Sequence, residues 1–73
     1  MNTSDIEIFL CAADTLSFSK AAEENYMSRQ AVSRKIGALE KELGAALFRR
    51  SQKGQRLALT PEGQREVTVL VLV

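Results

Sequence analysis

The sequence predicts a small, mainly α domain of four helices that carries one β-hairpin between its third and fourth helices. Three observations predict it. Apolar residues recur at helical spacing in separate stretches, each opened by a capping residue. Glycine and asparagine fall where those stretches stop. A Lys53-Gly54 pair separates two short extended segments.

The first helix is expected to begin at Ser4, where Ser4-Asp-Ile-Glu7 fits a capping box. Ile6, Phe9, Leu10 and Ala13 follow on one apolar face, and Cys11 beside it reads as a small packing residue. Thr15-Leu16-Ser17 breaks the pattern, and Ser17 or Ser19 can cap a short second helix from Phe18 to about Glu24. Phe18, Ala21 and Ala22 point inward, and the two alanines let another helix approach closely. Asn25-Tyr-Met27 forms a turn, with Asn25 suited to a left-handed backbone and Tyr26 expected to be partly buried.

Ser28 caps the third helix, which runs to about Leu43 and stops at Gly44. Val32, Ile36, Leu39 and Leu43 share one stripe, spanning about 60° at 100° per residue. Arg29, Gln30, Ser33, Arg34 and Gly37 form a second stripe roughly 120° away. Glu40 and Glu42 read as solvated surface near Lys41. The hairpin follows, with segments over 47–50 and 56–59 and with Arg49, Arg50, Lys53 and Arg56 on or near it. Thr60 then caps a last helix with Pro61 in its first position and Glu62 in its first turn. The closing "VTVLVLV" is open between strand, favoured by its β-branched residues, and helix, favoured by the start signal; helix is the expectation.

The 73 residues fit one small domain with a modest core. A hydrophobic share of 45% with 26% charged residues reads as soluble and globular. One cysteine excludes an internal disulfide framework and suits a reducing compartment. No signal peptide opens the sequence, and the apolar run at 67–73 is far shorter than the ~20 residues of a membrane span. Net charge is only +1, but its distribution is uneven. Residues 1–28 carry one basic and five acidic residues, whereas 29–56 carry eight basic and two acidic. That middle segment of net +6 has the form of an electrostatic footprint.

Two short helices with a tight turn, the second bearing basic and amide side chains on its first exposed turns, describe a helix-turn-helix. The DNA major groove admits one α-helix, while the first helix of the pair rests across the backbone. Arginine can meet guanine at two points and glutamine can do the same with adenine. Arg29, Gln30, Ser33 and Arg34 are the right types on the right face, and the hairpin has the form of a wing whose basic tip can reach phosphates or the minor groove.

The residues carry a further likeness. "FL.AAD..SFSKAAE" at 9–23, "S..AVSRKI.ALEKELGAALFRR" at 28–50 and "LTPEG" at 59–63 stand in order at nearly fixed spacing. Together they make the sequence resemble the N-terminal DNA-binding domain of LysR-type transcriptional regulators. The resemblance implies a winged helix-turn-helix with a three-helix core, a small β-hairpin wing and a C-terminal linker helix that pairs two subunits. On that pattern, 1–60 is the DNA-binding domain and 61–73 begins the dimerisation helix. The resemblance further implies that Ser28, Arg29, Gln30, Ser33 and Arg34 contact bases and phosphates. It implies that Ser17 and Ser19 approach the backbone, and that Arg50 and Lys53 belong to the wing. Phe9, Ala21, Ala22, Val32, Ile36, Leu39, Leu43 and Leu47 match the family core.

Four positions depart from the pattern. Arg29-Gln30 stands where many members have glutamine followed by proline or serine, which shifts the reading chemistry. Asn25 replaces an apolar residue, either capping the second helix or leaving a packing defect. Gly37 replaces a longer side chain, costing about 1 kcal/mol relative to alanine inside a helix. The hairpin is slightly longer than in many members. The family's effector domain is missing from these residues, as in a fragment or a stand-alone remnant, so a small-molecule effector enters only where such a domain accompanies them.

The expected partner is double-stranded DNA, bound by a homodimer joined through the C-terminal segment in the cytoplasm, with no membrane association. No cofactor or metal is expected. An enzyme is not expected either, because histidine, a metal-ligand cluster and a glycine-rich phosphate loop are all lacking. The alternative is a small helical protein-interaction module that docks an acidic partner on its basic face.

Overall fold

The computed structural model describes residues 2–49 and 57–72. Its elements run α1 (Thr3–Thr15), α2 (Phe18–Glu24), α3 (Arg29–Leu43), β1 (Phe48–Arg49), β2 (Ala58–Leu59) and α4 (Pro61–Leu72). Helices α1, α2 and α3 pack on one another, β1 and β2 pair antiparallel, and α4 lies against α1 and β2. This is the expected mainly α, winged helix-turn-helix order, and the C-terminal run is helical to Leu72.

Local chemistry sets most boundaries. Ser17 Oγ accepts the Lys20 N–H at 3.1 Å and Ser28 Oγ accepts the Ala31 N–H at 3.1 Å, so each serine caps the helix it precedes. Thr60 Oγ1 accepts the Gly63 N–H at 3.0 Å at the start of α4. Gly44 ends α3 with φ 71°, a left-handed conformation that glycine adopts without a Cβ clash.

The first cap differs from the expectation. Asn2, not Ser4, opens α1: its Oδ1 accepts the Asp5 N–H at 2.9 Å. Both residues are good caps, and the earlier start adds the bond from Ile6 N–H to the Asn2 carbonyl, 3.1 Å. The inward face of α1 is also rotated. Ile8, Phe9 and Ala12 are buried, while Ile6, Leu10 and Ala13 are half-buried. Helix α1 touches three other helices, so its apolar arc is wide and spacing alone does not centre it.

The turn between α2 and α3 corrects two further expectations. The left-handed residue is Tyr26, φ 55°, whereas Asn25 has φ −108°. Asn25 instead donates through Nδ2 to the Ala21 carbonyl at 2.7 Å and so closes α2. That resolves its departure from an apolar residue in favour of capping. Tyr26 is not partly buried; it is 97% exposed.

The core combines Ile8, Phe9, Ala12, Phe18, Ala21, Ala22, Val32, Ile36, Leu39, Leu47 and Phe48. Phe48 joins the wing to it, presenting T-shaped contacts to Phe9 (centroids 5.7 Å apart) and Phe18 (5.4 Å). Leu43, expected in the core, is 39% exposed. It continues the stripe of Val32, Ile36 and Leu39, but the burial on α3 ends at Leu39. The Lys53-Gly54 turn and the flanking arginines Arg50 and Arg56 lie outside the described residues.

Candidate nucleic-acid interface

Helix α3 is fastened by Val32, Ile36 and Leu39, all buried. With that stripe inward, the first turns present Ser28, Arg29, Gln30 and Arg34 to solvent, and Ser33 is half-buried beside them. The charge is selective. Lys35, in the same basic stretch, turns back to α1, with Nζ 3.4 Å from Asp5 Oδ1. Arg29 and Arg34 are thus the cations α3 exposes in its first two turns. The helix N-terminus adds the positive end of its macrodipole on the same side.

At the start of α2, Ser17 is half-buried and Ser19 is exposed. The cap geometry defines what Ser17 and Ser28 can offer. Each oxygen accepts a backbone N–H, so the hydroxyl proton is the group that can be donated to an outside acceptor. Ser17 is positioned further by Thr15, whose Oγ1 accepts the Ser17 N–H at 3.3 Å and lies 2.9 Å from the Cys11 carbonyl. Arg50 and Lys53 lie outside the described residues, so of the expected site residues the structure places Ser17, Ser19, Ser28, Arg29, Gln30, Ser33 and Arg34.

Three further side chains, on α2, on β1 and in the turn between α2 and α3, are exposed. Lys20 follows Ser19 on the first turn of α2, Arg49 points outward from β1 beside buried Phe48, and Tyr26 stands out from the turn itself. The alternation of Phe48 and Arg49 is the period-two signal that a strand root gives. The full exposure of Tyr26 was not signalled locally, because a tyrosine at positive φ is uncommon.

Glu40 is not the solvated residue expected. It is half-buried, and its Oε2 accepts the backbone N–H groups of Leu47 at 2.8 Å and Phe48 at 3.2 Å. Glu42 is exposed, in line with the expectation for it.

Among the described residues, no group of three or more histidine, cysteine, aspartate or glutamate side chains could hold a metal ion. The Cys11 thiol is pushed above its ordinary value by burial first and second by the Glu24 carboxylate, to whose Oε2 it donates at 3.4 Å. Among the described residues, no helix is long and apolar enough to cross a membrane.

Comparison with known proteins places this geometry. Residues 3–64 match the family described as bacterial regulatory helix-turn-helix protein, lysR family. The HTH-type transcriptional activator IlvY of Haemophilus influenzae is 40% identical over 65 residues, which are 89% of this chain and 22% of that protein. The glycine cleavage system transcriptional activator of Escherichia coli K12 is 48% identical over 59 residues, 81% of this chain and 19% of that one. The chain therefore spans about a fifth of the length of these curated relatives. Among solved structures, the DNA-binding domain of BenM in complex with catB site 1 DNA superposes with a TM-score of 0.88 at 30% identity, covering 97% of this chain and 78% of that chain. The match of sequence over most of the chain, and of fold over nearly all of it, means that this chain belongs to the LysR family of bacterial regulatory helix-turn-helix proteins.

Proposed function

We propose that this domain reads duplex DNA as the binding head of a transcriptional regulator, acting in the cytoplasm as a homodimer and by binding rather than catalysis. The observation that carries the reading is the division of α3: Val32, Ile36 and Leu39 are buried while Arg29, Gln30 and Arg34 stand exposed on its first two turns. In this reading α3 lies in the major groove, where Gln30 and Arg34 meet base edges and Arg29 supplements them. Ser33 packs at the groove wall. Ser17, Ser19 and Ser28 donate to phosphate oxygens, and Arg50 and Lys53 on the wing add charge along the backbone.

Residues 1–60 form the reading unit, and α4 begins the pairing segment. Val69, Val71 and Leu72 are exposed on α4, which supports its apolar side meeting a second copy. A small-molecule effector acts only where an effector domain accompanies this one. Titration of the chain with duplex DNA across a salt series tests the reading: log affinity is expected to fall linearly with log salt as phosphate contacts release counterions. A folded dimer that binds no duplex at low salt would exclude it.

A further inference from the structure

The segment that joins α3 to the wing is gripped from two sides. From α3, the single oxygen Oε2 of Glu40 accepts the N–H of Leu47 at 2.8 Å and that of Phe48 at 3.2 Å. From the start of α4, the Thr60 N–H donates to the Leu47 carbonyl at 3.1 Å and the Thr60 hydroxyl donates to the Ala46 carbonyl. Gly63 lies so close to the same Leu47 carbonyl that a Cβ there would collide with it. The side chains of Leu47 and Phe48 are meanwhile buried in the core.

The described ladder of the wing is two residues per strand, Phe48 against Leu59 and Arg49 against Ala58, and an isolated two-stranded hairpin is marginally stable at best in water. Burial of Leu47 and Phe48 holds the strand root in place, but apolar contact is non-directional. Hydrogen bonds are directional, and those to a carboxylate are stronger than neutral ones. We propose that Glu40 is a positioning residue that fixes the wing relative to α3, so that the base-reading helix and the phosphate-contacting hairpin meet DNA as one rigid surface. Glu40 itself touches no DNA in this arrangement. The proposal rests on the reading of α3 and the wing as the DNA-contacting surface.

The test uses the 73-residue chain with Glu40→Ala, Glu40→Asp, Glu40→Gln and, as a control that removes a like charge from an exposed position on α1, Glu7→Ala. Amide hydrogen exchange is followed at Leu47 and Phe48 and at the core positions Phe9 and Ile36. Glu40→Ala removes the acceptor and Glu40→Asp withdraws it. Both are expected to speed exchange at Leu47 and Phe48 by about tenfold or more while Phe9 and Ile36 hold. On specific duplex the same two variants lose the wing-side phosphate footprint, bind about tenfold more weakly and keep the base preference set by α3. Glu40→Gln retains an acceptor oxygen and restores binding to within about threefold, and Glu7→Ala exchanges as the parent does. Should Glu40→Ala fail to fold, Glu40→Asp decides.

Wild-type exchange and footprint in Glu40→Asp would overturn the proposal, as would equal loosening of Phe9 and Ile36, which marks a plain stability role. A parent chain that binds no duplex would overturn the DNA reading and this proposal together. That outcome is distinguishable from failure of the tether alone, because the exchange measurement needs no DNA.

Discussion

Lys35 Nζ lies 3.4 Å from Asp5 Oδ1, so a lysine in the most basic stretch of the chain is committed to holding α3 against α1. Both side chains are partly exposed, and such pairs contribute about 0–1 kcal/mol. Lys35→Ala is therefore expected to lower stability by no more than about 1 kcal/mol and to leave base preference unchanged. Arg34→Ala should do the reverse, weakening DNA binding with an unaltered melt. Thermal unfolding and duplex titration of the two variants check this, and a loss of base preference in Lys35→Ala would contradict it.

Gln30 and Lys53 are expected to fail in different ways. On the proposed reading the exposed Gln30 amide meets a base edge, so Gln30→Ala should relax preference at one position of the target. In the same reading Lys53 adds charge along the backbone, so Lys53→Ala should weaken all sequences alike and reduce the salt slope by about 1. A specificity profile that is the same with and without the Gln30 amide removes that residue from the reading set.

Two glycines predict opposite signs. A Cβ on Gly63 would strike the Leu47 carbonyl and approach Leu59 Cδ2 to 2.8 Å. Gly63→Ala must push α4 off the wing root, and overpacking of this kind costs about 1–3 kcal/mol. A Cβ on Gly37 meets nothing within 4 Å, inside a helix where alanine is favoured by about 1 kcal/mol. Gly37→Ala should therefore stabilise the domain by about that amount, so denaturant midpoints moving in opposite directions are the expected result.

Phe48 is 3% exposed and edge-on to two other rings. Phe48→Ala should remove about 3–5 kcal/mol, comparable with the whole stability of a domain this size. Loss of the cooperative unfolding transition is the expected outcome, and a well-folded Phe48→Ala variant would show that the wing root is dispensable to the core.

Val71 is 66% exposed and Leu72 80%. Replacing both with glutamate should raise the dimer dissociation constant by at least about tenfold, since two like charges would enter an apolar contact. Sedimentation across a concentration series reads this directly, and an unchanged association state would place the dimer contact elsewhere.

The sequence by itself determined what depends on neighbours along the chain. Ser17, Ser28, Gly44 and Thr60-Pro61 marked their helix ends because caps act within three or four residues. The exposed face of α3 followed in the same way, from the fixed 100° step of a helix. The tertiary structure decided everything that needed a distant partner. Asp5 is thirty residues from the lysine it pairs with. Whether Leu43 lay under the core depended on how far the packed helices extend over α3. Glu40 looked like solvated charge because its two donors, the backbone N–H groups of Leu47 and Phe48, carry no side-chain signature and face it only once the chain has turned at Gly44. Periodicity tells which way a side chain points; what stands there to meet it is fixed only when the elements pack.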